Sequence, residues 1–162
     1  KVARRFAEHG VQVIASLARG IDAAAHIGAG AAEGVSFGIL DGGFDHIEAK
    51  EEMPLAIDIA REGGIITEYP PDLEKSDKHL PAVNRLIVGL AQGVVVTEVY
   101  SYSTRTRDLL RFCRQIGKLA FLVIDPEHGA LAEEESLAEA VACGAIPLTG
   151  LDKVDDIIRT LV

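Results

Sequence analysis

The sequence predicts an α/β fold: a three-layer, Rossmann-like open sheet, mostly parallel, with helices on both faces. Three observations predict it. Short apolar, β-branched runs alternate with longer segments of helical period, the pattern of strands joined by right-handed crossover helices. The runs are almost continuously apolar, as strands covered on both faces must be. Gly10, Gly34, Gly63, Gly117 and Gly144 each stand just before a run, where the C-caps of preceding helices belong.

In chain order, Val2–Glu8 reads as the tail of a helix already under way. The strand candidates are Val11–Ala15, Val35–Leu40, Gly64–Thr67, Gly93–Thr97 and Leu119–Ile124, with a weaker sixth at Ala145–Leu148. Between and after them the helical segments are Ile21–Glu33, Glu51–Glu62, Ala82–Ala91, Thr106–Ile116, Glu134–Ala142 and Asp152–Leu161. The most irregular stretch is "EYPPDLEKSDKHLP", residues 68–81. It is longer than most connections, which marks it as a candidate functional loop. No internal repeat or linker divides the chain, so a single domain over residues 1–162 is expected. A chain of this length buries a core without disulfide or metal staples.

Composition narrows the function. Sixteen basic against 25 acidic side chains leave a formal charge of −9. Phosphate neutralisation supplies most non-specific nucleic-acid affinity, so a DNA-binding reading has to name a few local cations. The two cysteines, Cys113 and Cys143, lie in apolar helical patterns without paired or metal-like spacing. They are expected to be buried free thiols, which suits a reducing cytoplasm. No secretory segment is visible, and no apolar run approaches the roughly 18 residues of a membrane span.

Ligands of open α/β sheets bind beyond the carboxyl ends of the strands. After the first run come Ser16, Arg19, Gly20 and Asp22. Gly20 permits a tight turn, the helix N-terminus favours an anion, and Arg19 can clamp it. Equally, Asp22 reads as an N-cap or first-turn acid with Arg19 on the surface. After the second run, Gly42 and Gly43 suit a loop that approaches something closely, whereas Asp41 is unfavourable to phosphate. After the third, Tyr69 either stacks on a base or covers the sheet edge. Asn84 and Arg85 form a polar pair at the start of an otherwise apolar helix, facing a crevice or anchoring a loop. After the fourth run, "EVYSYSTRTR" combines tyrosines, hydroxyls, Arg105 and Arg107. That mixture fits single-stranded nucleic acid or a helix start capped by Ser103 or Thr104.

Catalytic patterns are poor. The five histidines are scattered, and there is no nucleophile elbow, Walker loop, G-x-G-x-x-G or zinc spacing. No enzyme, cofactor or metal is needed to account for the sequence.

Taken in order, "LARGIDAAAH", "L-x-x-G-F-D", "GGIITEYPP", "LPAVNRLIVGL", "VVVTEV" and "GK-LAFLV" resemble the DNA-processing protein A family (DprA, also called Smf) over residues 1 to 124. The tail "ACGAIPLTGLDKVDDII" resembles the family's closing strand and helix more weakly. The resemblance implies an extended Rossmann-like fold without established catalytic activity. It implies cooperative binding of single-stranded DNA as dimers, and loading of a RecA-type recombinase during natural transformation. It also implies DNA-contact or pocket roles for Arg19, Gly20, Asp22, Gly43, Asn84 and Arg85, with Asp22 and Asn84 shaping loops. With the flanking loop residues, the candidate nucleic-acid-binding set is Ser16, Arg19, Gly20, Asp22, Gly43, Asn84, Arg85, Ser103 and Arg105.

The chain departs from the family pattern at several of these loops. Ala15-Ser16 replaces the usual Ser-Gly, and Ile27 replaces an arginine. Val83 replaces the first arginine of Arg-Asn-Arg, and Asp41 stands where a glycine is usual. The chain also opens in mid-helix, so the family's first strand and its Gly-Ser-Arg loop are expected to be missing. Arg105 and Arg107 are the cations that can compensate. The alternative reading is a Rossmann-like protein for a nucleotide or its derivative, as a sensor or a phosphoribohydrolase-like enzyme. The Pro-Gly-Gly-x-Gly-Thr loop of the similar lysine-decarboxylase-like group is absent, however. A third reading is a paralogue whose loops bind only protein.

Overall fold

The computed structural model describes residues 1–48, 50–97, 104–124 and 134–161. They form two compact units, Lys1–Ile87 and Val88–Val162, each an α/β layer of parallel strands and helices.

The first unit runs α1 (Val2–Glu8), β1 (Val13–Ser16), α2 (Ile21–Gly30), β2 (Ser36–Ile39), α3 (Met53–Glu62), β3 (Gly64–Ile66) and α4 (Leu80–Leu90), whose last turn belongs to the second unit. Its sheet has the order β1-β2-β3. Ser16 stands opposite Ile39, and Ile39 opposite Ile66. All three strands therefore end level, and their following loops share one edge. The ladder runs on where Leu17 N–H donates to the Ile39 carbonyl at 3.1 Å and Leu40 N–H to that of Ile66 at 3.0 Å. Leu17 and Leu40 then turn inward to pack with Ala56 and Ile59 of α3.

The second unit runs β4 (Gly93–Val96), α5 (Thr104–Ile116), β5 (Leu119–Ile124), α6 (Glu134–Ala142), β6 (Ala145–Thr149) and α7 (Val154–Leu161). The parallel sheet has the order β4-β5-β6. Four successive residues of β5, Ala120–Val123, are buried, so both faces of this strand are covered, as its continuous apolar character requires. Ala120 and Leu122 join Val94, Val96 and Ala145 in a cluster with Leu110, Cys113 and Ala140. Around Cys113, burial pushes the thiol up to about 11, leaving it an inert protonated core group. Pro147 lies on β6, which pairs with β5; an edge position tolerates its missing donor.

Two boundaries differ instructively from expectation. The helix expected over Ile21–Glu33 stops at Gly30. Glu33, rather than Gly34, takes the left-handed conformation, with φ 53°, and Gly34 N–H closes the turn on the Ala29 carbonyl at 3.0 Å. Gly34 serves a different need: a Cβ there would stand 2.4 Å from the Ala7 methyl. The fourth long helix starts at Leu80, ahead of Pro81, because the first turn of a helix does not need that N–H.

The end of β1 is fixed by a three-residue network. Ser16 Oγ donates to the Asp22 carboxylate and accepts from Ala18 N–H at 3.2 Å. His26, 2% exposed, donates from Nε2 to the Ser16 carbonyl at 3.1 Å. Among the described residues Nδ1 of His26 has no partner, so it is the bare acceptor of a neutral ring. Burial lowers the His26 pKa below its ordinary 6.5, against the opposing pull of the Ser16 carbonyl and the Asp22 charge.

A Cβ on Gly63 would lie 1.8 Å from the Ser36 carbonyl oxygen, so Gly63→Ala should lower the unfolding free energy by on the order of 2 kcal/mol or more. Gly30, with nothing within 4 Å of its Cβ position, should gain about 0.5–1 kcal/mol as alanine; urea titrations of both variants measure the contrast. For His26, the fold holds the neutral ring while the unfolded chain takes up a proton near 6.5. Stability is therefore complete above that pH and falls as the pH drops through the lower folded value. Urea midpoints at pH 7 and pH 5 should show the loss. In His26→Gln, which keeps an N–H for the Ser16 carbonyl, the loss should shrink.

Candidate nucleic-acid interface

The loops after β1, β2 and β3 carry most of the candidate residues. After β1, Gly20 adopts φ 90°, ψ −129° and caps α2. A Cβ there would meet nothing within 4 Å, so the backbone conformation, not space, calls for glycine. It turns the chain so that α2 starts immediately and Arg19 is thrown outward, its side chain 74% exposed. The guanidinium pairs with Glu51 and, at 3.7 Å, with Glu48, both from the segment leading into α3. Asp22 lies in the first turn of α2, where the helix dipole favours a carboxylate. Its bond from Ser16 makes it a brace of the turn. Ser16 itself is 4% exposed and ties strand to helix.

After β2, Gly43 is pressed against the next loop. A Cβ would stand 2.1 Å from the carbonyl oxygens of both Pro70 and Pro71, and Gly43 N–H donates to the Leu73 carbonyl at 2.8 Å. What this glycine approaches closely is thus the backbone of the Pro-rich segment. That segment is held along its length. Asp45 N–H donates to the Pro71 carbonyl at 3.0 Å, and His46 Nε2 donates to that of Asp72 at 2.9 Å. Thr67 Oγ1 donates to the Gly42 carbonyl at 2.8 Å. Lys75 pairs with Glu52, whose side chain is 13% exposed. The irregular stretch 68–81 is therefore a fastened strap over the end of β2.

After β3, Tyr69 stacks on His79 with ring centroids 4.3 Å apart, and His79 Nδ1 donates to the Asp41 carbonyl at 2.6 Å. Glu68 holds Arg85 of α4, whose side chain is 56% exposed. Asn84, one residue earlier, is 2% exposed and belongs to the interior. Val83, at the position where the family resemblance has an arginine, is buried as well. Between these loops lies a cleft of about 50 Å³, lined by Ser16, Leu17, Ala18, Ile39, Asp41, Glu52, Leu80 and Val83. That is room for one or two waters, where a small-molecule site occupies about 300–1,000 Å³.

The remaining candidates belong to the second unit. Arg105 lies half-buried in the first turn of α5. Arg107 pairs with Glu139 of α6 at 2.9 Å, an engagement inside the unit. Ser103 is outside the described residues. The first unit thus brings together Ser16, Arg19, Gly20, Asp22, Gly43 and Arg85 along one sheet edge, with Asn84 behind it. Sequence reasoning missed Glu48 and Glu51 as partners of Arg19. The only signal was the acidic run "EAKEE", which reads as a solvated surface until folding brings it beside β1. Glu68 was visible as the acid of "TEYPP", but its arginine was not.

No group of three or more histidine, cysteine, aspartate or glutamate side chains placed to hold a metal ion occurs among the described residues. Among those residues no helix is long and apolar enough to cross a membrane.

Comparison with known proteins agrees with this architecture. A DNA processing protein DprA of Bacillus subtilis is 34% identical over 95 residues, 59% of this chain and 32% of that protein. The protein Smf of Escherichia coli is 38% identical over 94 residues, 57% of this chain and 25% of that protein. The chain thus spans about a quarter to a third of the length of these relatives. Among solved structures, DNA processing protein A of Helicobacter pylori, studied for its single-stranded DNA binding mode, superposes on 99% of this chain and 72% of its own. The TM-score is 0.82 at 20% identity, a likeness of fold. The family model for DNA recombination-mediator protein A matches residues 1–144: the chain belongs to the DNA-processing protein A (DprA/Smf) family.

Proposed function

We propose that this chain binds single-stranded DNA, holding phosphates at the loops that follow β1 and β3 through Arg19, Arg85 and backbone N–H groups at the start of α2. In this reading Ser16, Asp22 and Asn84 shape the loops, and Gly20 and Gly43 set their paths; Ser103 and Arg105 remain candidate contacts by sequence. The protein acts as a dimer with a RecA-type recombinase, a role supported by its membership of a recombination-mediator family. It serves DNA processing in the cytoplasm and is not an enzyme.

The observation that carries the reading is the pair of exposed arginines on one sheet edge. Cations spread along an open edge suit an extended polyanion. The single-stranded DNA binding mode studied for the H. pylori relative supports the same ligand class.

Fluorescence anisotropy with a labelled single-stranded oligonucleotide over a salt series tests this. Two phosphate contacts predict a slope of about −1.4 in log K against log salt concentration, and Arg85→Ala should reduce its magnitude by about 0.7. Absence of binding at low salt, together with a rise in melting temperature on adding a nucleotide, would favour the small-ligand reading instead.

A further inference from the structure

Both arginines assigned to phosphate are already occupied. Arg19 is shared between Glu48 and Glu51, and Arg85 is held by Glu68. Glu48 and Glu51 come from the segment before α3 and Glu68 from the loop after β3, so each is distant in sequence from the arginine it meets. The pairs are exposed on both sides, with side-chain accessibilities of 74% and 43% for Arg19 and Glu51 and of 56% and 37% for Arg85 and Glu68. Exposed ion pairs of this kind are weak and exchange readily. Exchange with a single phosphate replaces one exposed anion by another and gains little, and it leaves the freed carboxylate beside the newcomer, repelling it.

Resting on the phosphate-binding reading above, we propose that Glu48, Glu51 and Glu68 are specificity-determining residues of this interface. They latch Arg19 and Arg85 in the unliganded chain and must be displaced by the incoming strand. Only a ligand that engages both arginines at once repays the exchange. The geometry supports this ligand class. β1 and β3 flank β2, so their carboxyl ends stand roughly 10 Å apart, two strand spacings. A strand carrying several phosphates can meet both loops, and one isolated phosphate cannot. The latches therefore bias the site towards polynucleotides and against mononucleotides and free phosphate, without any base contact.

The test is a double-mutant cycle read by anisotropy with a labelled single-stranded oligonucleotide at fixed salt. Glu68→Gln should tighten binding by about two- to fivefold, the value of an exposed pair, and the gain should largely vanish in an Arg85→Ala background. Glu48→Gln with Glu51→Gln should behave in the same way towards Arg19→Ala. Glu62→Gln, an exposed carboxylate at the far end of α3, reports the effect of bulk charge alone. An equal gain with and without the arginine, or no gain beyond that of Glu62→Gln, would overturn the latch. In that event a salt-dependent wild type weakened by Arg85→Ala leaves the DNA-binding reading standing. If the wild type does not bind, the triple glutamine variant is measured at low salt. Binding that appears there and requires Arg85 supports the latch, and silence from both proteins overturns latch and reading together.

Discussion

The carboxyl end of β1 depends on Ser16, and the β1 side of the candidate interface depends on that end. One residue supplies two anchors: its carbonyl takes the His26 N–H and its hydroxyl reaches the Asp22 carboxylate. Both partners lie on α2, so strand and helix are clamped across the turn between them. The clamp lets Gly20 hold φ 90° without the turn relaxing, and the direction of Arg19 follows from that turn. The neutrality of His26 is part of the device. A second ring proton would place a donor on Nδ1, where no described partner exists, and burial of an unpaired donor costs more than a surface ion pair returns.

A second constraint acts on the loop after β3. Gly43 has its Cα against the Pro70 and Pro71 carbonyls, and four hydrogen bonds from Gly43, Asp45, His46 and Thr67 stitch the β2 and β3 loops together. Backbone groups that would be left over in an irregular stretch are thereby satisfied locally. The two prolines donate nothing and restrict the chain, so the strap is stiff as well as fastened. Its ends then place Glu68 and His79 beside α4 and β2, and so decide which carboxylate Arg85 meets.

The periodic parts of this chain were legible from residues alone. β5 at Leu119–Ile124 and α6 at Glu134–Ala142 fall where the pattern puts them, because a doubly covered strand and an amphipathic helix leave strong local signals. The end of α2 did not, since the left-handed residue is Glu33 while Gly34 is claimed by a contact with Ala7 from another helix. The interface was legible to a similar extent. "LARGID" announces a turn with an outward cation, and Gly42-Gly43 announces a close approach. What each meets is set by tertiary pairing: Pro70 and Pro71 for Gly43, Glu51 for Arg19. No local period encodes such partners.

Pairing also changes what the acidic balance means. The formal charge of −9 looks prohibitive for a nucleic-acid ligand only if every charge acts on it. At physiological ionic strength exposed charges further away than about 8 Å are largely screened, so most of the 25 acidic side chains have little say at the sheet edge. The opposition nearest the two arginines comes from Glu48 and Glu51 beside Arg19 and Glu68 beside Arg85, with Asp41 lining the cleft. The first three are carboxylates in immediate contact with only two arginines, so with Asp41 the edge carries no net positive charge while unliganded. Such an edge gives no attractive long-range steering to an anion. On the proposed reading affinity then arises at contact, and a strand that engages both Arg19 and Arg85 in one encounter gains most.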